Sequence, residues 1–147
     1  MSNELILKNL TAESFKPYGD IIAFDENLQD RFQVIVNEPQ TEGWRIAISR
    51  LTRGKINKLG LHPNTRESFE PLKGISVMLV AREETPQQLE LFLLDRPVCI
   101  HRNIWHATAA LSAEAYLKIT ENSFVQSREY ELKVSLDIGM FISDSSI

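Results

Sequence analysis

Short apolar segments separated by turn residues restrict this chain to a small set of folds. Residues 44–51 and 115–120 alternate between apolar and polar side chains, a pattern typical of strands that bury one face. Residues 75–81 are apolar and rich in β-branched side chains, which predicts a buried strand. Turn signals recur about every 8–12 residues, and helical periodicity is almost absent. We therefore expect an all-β fold with minor helix, closed as a double-sheet barrel or jelly roll, in a single domain over residues 1–147.

The remaining elements are predicted from the same signals. A short helix is expected after Thr11, whose hydroxyl can cap it. The basic segment 50–58 around Gly54 is interpreted as a solvated loop, and segments 75–80 and 89–94 are expected to form core strands. Further strands are expected at 20–24, 31–36, 98–100 and 130–134, and a strand or short helix at 138–142.

Composition narrows the range of partners. The net charge of −4 and the pI near 5.4 argue against a nucleic-acid or anionic-membrane partner, because both select for a basic face. No apolar run approaches the roughly 20 residues of a membrane-spanning helix. The lone cysteine, Cys99, has no internal disulfide partner, and the N-terminus lacks a secretory pattern. We therefore expect a cytoplasmic protein whose partner is a small molecule or another protein.

All three histidines lie in two short segments, 62–74 and 101–106. The neutral imidazole is the commonest protein ligand of borderline metals and the usual proton carrier near neutral pH. In a small barrel, His62 and Glu67 on one strand can meet His106 from a later strand and leave coordination positions open for water or substrate. The spacing therefore predicts a catalytic type of metal site in the mouth of the barrel.

The spacing of these residues resembles the signature of the cupins, whose fold is a double-stranded β-helix. His62, Glu67 and Gly74 match the second histidine, the glutamate and the turn glycine of that signature. His106 matches its last histidine, whereas Gly60 stands where the first histidine belongs. The resemblance implies a cupin-type jelly-roll barrel with a short N-terminal helix.

A closer resemblance is to the ureidoglycolate lyase family, which shares the cupin fold. It rests on segments 10–15, 17–22, 69–81 and 101–106, of which the last, HRNIWH, is the most specific. The resemblance implies a carbon–nitrogen lyase that cleaves ureidoglycolate to glyoxylate and urea in purine and allantoin degradation. It also implies a homodimer with a divalent metal, nickel in this family; a protein without a cofactor is the alternative.

Within this resemblance, other residues join the three metal ligands in the expected site. Glu67, His101 and His106 are expected to transfer protons. A cation is needed to hold the substrate carboxylate, and an aromatic ring can pack against the substrate. The residues expected to contact the substrate are Arg50, Lys73 and Trp105. Each of these three has a structural alternative, as an exposed charge or as core packing.

Two positions depart from the family pattern. Relatives tend to carry a glutamate at the position of Gly60 and a second histidine at the position of Ala107. These departures remove polar groups from the surroundings of the expected site. They favour an alternative function, that of a non-catalytic or differently specific cupin that binds a small carboxylate ligand.

Overall fold

The computed structural model describes residues 5–141 of the chain. Strands dominate these residues, and none of their helices has the length and apolar content needed to cross a bilayer. The α-helix α1 spans Ala12–Phe15, and a 3-10 helix spans Ile138–Phe141. The strands are β1 Leu7–Lys8, β2 Gly19–Ile21, β3 Arg45–Thr52, β4 Lys55–Leu61, β5 Glu67–Lys73, β6 Ser76–Arg82, β7 Glu90–Leu93, β8 Val98–Ile100, β9 Ile104–Ala110, β10 Glu114–Glu121 and β11 Arg128–Asp137.

These strands form two sheets that share a core. The six-stranded sheet has the order β1-β7-β6-β9-β4-β11, and the five-stranded sheet has the order β2-β8-β5-β10-β3. β1 and β7 are parallel, and the other pairs are antiparallel. The chain crosses between the two sheets eight times, and two of these crossings run from β4 to β5 and from β9 to β10. The result is the jelly-roll barrel that the strand pattern predicts.

β6 is buried on both faces because it lies in the middle of the six-stranded sheet. Met78 and Val80 point between the sheets, where they pack in a cluster with Phe69 of β5 and Leu117 of β10. We call this side of each sheet the interior face and the opposite side the outer face. The residues of β6 that pack in a second cluster, on the outer face, are Val77, Leu79 and Ala81. A strand with two apolar faces explains why the sequence here shows no alternation.

Most of the predicted elements are confirmed. Segments 75–80 and 89–94 form the core strands β6 and β7, and segments 98–100 and 115–120 fall in β8 and β10. Thr11 caps α1, because its Oγ1 accepts a hydrogen bond from the backbone N–H of Ser14 at 3.0 Å. Gly74 turns the chain between β5 and β6 with φ of 76°, and a Cβ there would lie 2.2 Å from the carbonyl oxygen of Glu114.

Three of the predicted elements are wrong or incomplete. The basic segment 50–58 is a loop only at 53–54, because Ile56 is buried and β4 pairs with β9 and β11. Segment 31–36 is irregular, since no strand among residues 5–141 pairs with it. The strand expected at 20–24 shortens to β2. The expected terminal element is the 3-10 helix, and Ile142 lies outside the described residues.

Candidate metal centre

The three predicted metal ligands, His62, Glu67 and His106, meet inside the barrel. Glu67 Oε1 lies 2.8 Å from Nε2 of His62 and 2.9 Å from Nε2 of His106. One ligand atom from each residue lies within 4.8 Å of the other two. Two histidine segments that are far apart in the sequence therefore form one site, which we call the metal centre.

Strand geometry brings these residues together. His62 directly follows β4 and Glu67 begins β5, so they flank a turn and do not share one strand as expected. His106 lies on β9, where it pairs with Gly60 of β4 and Val80 of β6. Because Val80 points to the interior, His106 also does, as its partner on the same face of the sheet.

Hydrogen bonds to the backbone favour one tautomer of both imidazoles, and the Ser127 hydroxyl also lies 3.0 Å from Nδ1 of His62. Nδ1 of His62 lies 3.0 Å from the carbonyl oxygen of Gln126, and Nδ1 of His106 lies 3.0 Å from that of Ile104. A carbonyl oxygen can only accept, so each Nδ1 carries the proton that is donated. A neutral imidazole in this state presents the Nε2 lone pair to Glu67. Metal-binding histidines are usually oriented in this way.

Glu67 Oε1 is the buried polar atom that lacks a hydrogen-bond donor. Within residues 5–141 it is the one buried side-chain nitrogen or oxygen without a hydrogen-bond partner. Burial raises the pKa of the Glu67 carboxyl, but the hydrogen bonds and positive charge that His106 and His62 supply when protonated at Nε2 outweigh burial and hold this pKa well below its usual range. Glu67 is therefore a carboxylate at neutral pH. A buried carboxylate that faces two lone pairs requires positive charge between them.

Protonation or a metal ion can supply this charge. Burial lowers the pKa of His62, but the hydrogen bond and charge of Glu67 together with the Gln126 carbonyl raise it by more, so an imidazolium is one source. A divalent cation is the other source. Two imidazole nitrogens and one carboxylate oxygen are a common ligand set for catalytic metals, and they leave coordination positions open. The residues present therefore fit a divalent metal.

The predicted substrate-binding cations lie away from the metal centre. Arg50 is on the outer face of the five-stranded sheet, where its Nη2 pairs with Glu114 at 2.9 Å. Lys73 lies on the same face, with Nζ 5.8 Å from the ring centroid of Tyr116. Arg50 points outward by the alternation of β3, and a register shift in β5 places Lys73 opposite the outward-facing Tyr116, so neither cation reaches the interior.

Trp105 and His101 also lie outside the metal centre. Trp105 precedes His106 on β9 and points to the outer face, where it is 3% exposed and its Nε1–H donates to the carbonyl of Glu83 at 2.9 Å. This position matches its alternative role as core packing. His101 lies between β8 and β9, with Nε2 3.4 Å from the carbonyl oxygen of Lys16. It does not belong to the cluster of ligands at the metal centre.

The two departures from the family pattern lie on opposite faces. Gly60 pairs with His106, and a Cβ built at Gly60 would meet no other atom within 4 Å. Ala107 pairs with Leu79 and packs in the outer cluster. Of these two departures, only the one at Gly60 therefore removes a group from the metal centre.

Glu121 is a residue beside the metal centre that the sequence reasoning missed. It ends β10 with its side chain 8% exposed, and Nη2 of Arg45 lies 2.6 Å from its Oε2. Burial raises the pKa of Glu121, and the neighbouring Glu67 carboxylate adds to this effect against the opposing effect of Arg45. Strand register is the signal that identifies Glu121, and this register was not available from the sequence.

A cavity of about 490 Å³ lies beside this end of the barrel, between the irregular segment 22–44 and the outer face of the five-stranded sheet. Glu121 and Arg66 are among its lining residues, whereas the three candidate ligands are not. Arg66 donates from Nε to the carbonyl of Ile100 and from Nη2 to Asp20. Its Nη1 has no hydrogen-bond acceptor within residues 5–141, so it can meet a ligand. No pattern in the sequence distinguishes Arg66.

Comparison with known proteins finds a relative by sequence. A ureidoglycolate lyase from Agrobacterium fabrum (strain C58 / ATCC 33970) is 29% identical over 126 residues, which cover 72% of this chain and 76% of that protein. This chain is a distant relative of ureidoglycolate lyase. No family model matches it.

One solved structure confirms the fold of this chain. The crystal structure of a dTDP sugar isomerase from Desulfovibrio desulfuricans G20 matches with a TM-score of 0.52 and 15% identity, over 85% of this chain and 86% of that one. Oxalate decarboxylase from Bacillus subtilis matches 62% of this chain with a TM-score of 0.46 and 15% identity, and the match covers 24% of its own length. The cupin-type barrel that the sequence predicts is confirmed.

Proposed function

We propose that this chain is a metal-dependent lyase that cleaves ureidoglycolate, or a closely related α-hydroxy acid derivative, to glyoxylate and urea. The observation that carries the proposal is the buried Glu67 Oε1, which lacks a hydrogen-bond donor and faces Nε2 of His62 and His106. The distant ureidoglycolate lyase supplies the substrate class. Nickel is the proposed metal because the family resemblance implies it.

The reaction breaks one carbon–nitrogen bond. The central carbon of ureidoglycolate bears a hydroxyl, a carboxylate and the urea nitrogen. The hydroxyl loses its proton as the carbonyl of glyoxylate forms, and the departing nitrogen gains one proton, so the exchange is balanced. A divalent cation, when bound, supplies a Lewis acid that lowers the pKa of the substrate hydroxyl.

The chain's own residues prepare the site for this cation. His62 and His106 would hold it through Nε2, because the carbonyls of Gln126 and Ile104 keep both rings in the metal-binding orientation. Glu67 would hold it through Oε1, since its low pKa keeps the carboxylate charged at neutral pH. His101 is not assigned a step, because its ring lies outside this cluster.

The alternative function is binding of a small carboxylate without catalysis. The cavity of about 490 Å³ favours it, because Arg66 lines a cavity whose walls are largely apolar. Arg66 is held by three hydrogen bonds, to the carbonyls of Ile100 and Cys99 and to the carboxylate of Asp20, so it is a rigid partner for a carboxylate. This ligand would bind on the outer face of the five-stranded sheet, away from the metal centre.

The proposal also includes the compartment, the pathway and the oligomeric state of the protein. We place it in the cytoplasm, in purine and allantoin degradation, as a homodimer. The buried free thiol of Cys99 supports a reducing compartment. The family resemblance supports the pathway and the oligomeric state.

The proposal is tested by metal content and glyoxylate release. Freshly purified protein is analysed for metals, and glyoxylate release from ureidoglycolate is measured with and without added nickel. Glu67→Gln and His106→Ala are each expected to lose bound metal and to reduce glyoxylate release by at least about 100-fold. The melting temperature of His106→Ala is expected to change little.

Glu70→Gln is the matched control. Glu70 lies on β5 three residues after Glu67 but pairs with Lys118 on the outer face at 3.2 Å. This variant is expected to keep both metal and activity. The alternative function would be established if the wild-type protein binds no nickel and releases no glyoxylate but is stabilised by small carboxylates. Arg66→Gln should then remove this stabilisation.

A further inference from the structure

A row of charged side chains crosses the five-stranded sheet beside the metal centre. Glu121 of β10 is directly opposite Arg45 of β3. On the other side of β10, Thr120 pairs with Ser68 of β5. The next step of this antiparallel register places Glu121 opposite Glu67. The row therefore runs from Arg45 through Glu121 to Glu67 over three neighbouring strands.

Both carboxylates of this row face the interior. Ile119 and Phe69 pack in the interior cluster, and Glu121 and Glu67 each lie two residues from one of them along the same strand. The side chain of Glu67 is 6% exposed and that of Glu121 is 8% exposed. Side chains directly opposite each other have Cβ atoms about 4.5–5.5 Å apart. Two carboxylates therefore share a nearly dry space.

Like charges in this arrangement are unfavourable unless positive charge compensates them. Arg45 compensates on one side, with Nε 2.8 Å and Nη2 2.6 Å from Oε2 of Glu121. Both contacts use the same oxygen, so Arg45 leaves the other oxygen of Glu121 free to face Glu67. On the other side of the pair lies the metal centre.

We propose that Glu121 is a positioning residue of the metal centre, a second carboxylate that orients Glu67 and increases the affinity of the centre for a divalent cation. Its oxygens do not belong to the cluster of direct ligands, so it acts through Glu67 and through its charge. It adds negative charge to a centre in which Gly60 provides no side chain. This inference rests on the metal centre of the proposed function.

The test is the affinity of the metal-stripped full-length chain for nickel, measured by titration calorimetry at fixed pH and ionic strength. Glu121→Gln preserves the size of the side chain and removes its charge, and we expect nickel binding to weaken about tenfold or more. Glu114→Gln is the matched control, because Glu114 lies on the same strand and pairs with Arg50 of β3 on the outer face. Its affinity is expected to stay within about twofold of the wild-type value.

The Arg45→Gln variant keeps the carboxylate of Glu121 but removes its ion pair, so it tests the effect of the charge by itself. If the charge of Glu121 acts on the metal centre, removal of Arg45 leaves that charge less compensated, and nickel should bind at least as tightly as to the wild type. If Glu121 only anchors the strand, Arg45→Gln and Glu121→Gln should weaken binding alike, which would overturn the inference. Arg45→Gln still decides the question if Glu121→Gln does not fold.

Two further outcomes separate this inference from the proposed function. If the wild type binds nickel and the affinity of Glu121→Gln stays within about twofold of the wild-type value, only the positioning role is overturned. A wild-type chain that binds no nickel would overturn the metal centre itself, and the positioning role with it.

Discussion

At the scale of single residues, Gly60 is where the metal centre differs from the cupin pattern. It faces the interior opposite His106, and its missing side chain leaves open space. A centre with three protein ligands holds a cation less tightly than one with four, but it keeps more coordination positions for substrate. The glycine at position 60 therefore lowers the affinity for the cation but improves the access of substrate to it.

Gly60→His is expected to add a fourth ligand. No atom lies within 4 Å of the Cβ that it introduces, so the change should not disturb packing. Nickel affinity of the metal-stripped protein should rise by about tenfold or more, measured by calorimetry. Gly54→His is the control, because Gly54 is equally unobstructed but lies in the loop between β3 and β4. Equal effects of the two variants would show that the new imidazole at position 60 does not reach the metal centre.

At the scale of elements, β9 divides its residues between structure and site. His106 points to the interior and Trp105 to the outer face, where its ring lies 5.9 Å from that of Tyr130 and Arg128 stacks on it at 5.3 Å. The family segment HRNIWH therefore contributes one side chain to the metal centre and another to the outer cluster.

Trp105→Ala is expected to reduce the free energy of unfolding by about 3–5 kcal/mol, because it leaves a cavity in the outer cluster. Chemical denaturation measures this loss. The KM of the folded variant for ureidoglycolate and its nickel content should not change, since Trp105 does not face the metal centre. Phe124→Ala, at a 64% exposed phenyl ring, should change stability by no more than about 0.5 kcal/mol. A raised KM without loss of stability would instead support the predicted substrate contact.

Some elements of the fold could be predicted from the sequence alone, and others could not. β6 was predictable because a strand that packs against apolar side chains on both of its faces needs an unbroken apolar run. Segment 31–36 has the alternation of a strand, but none of the described strands pairs with it, and Phe32 is 81% exposed. The three candidate ligands were predictable from spacing, whereas the positions of Glu121 and Arg66 depend on strand register and on the turn between β4 and β5. Neither of these leaves a local sequence pattern.

At the scale of the whole molecule, the two sheets differ in how their outer faces are covered. The outer face of the six-stranded sheet carries a buried cluster. The edge strand β3 of the five-stranded sheet instead exposes Ile46 by 53% and Ile48 by 58%, next to Trp44 at 68%. Among the described residues β3 pairs only with β10, so its other edge is open. An open edge beside exposed apolar side chains is typical of a protein interface.

The proposed homodimer is expected to form at this edge. Ile48→Glu places a charge in the exposed apolar surface, and light scattering after size-exclusion chromatography should then give the mass of a monomer. Val134→Glu is the control, because Val134 is 81% exposed on β11, the edge strand of the other sheet. That variant should remain a dimer. If Val134→Glu dissociates the dimer and Ile48→Glu does not, the interface lies at the six-stranded sheet, and the exposed residues of β3 need another partner.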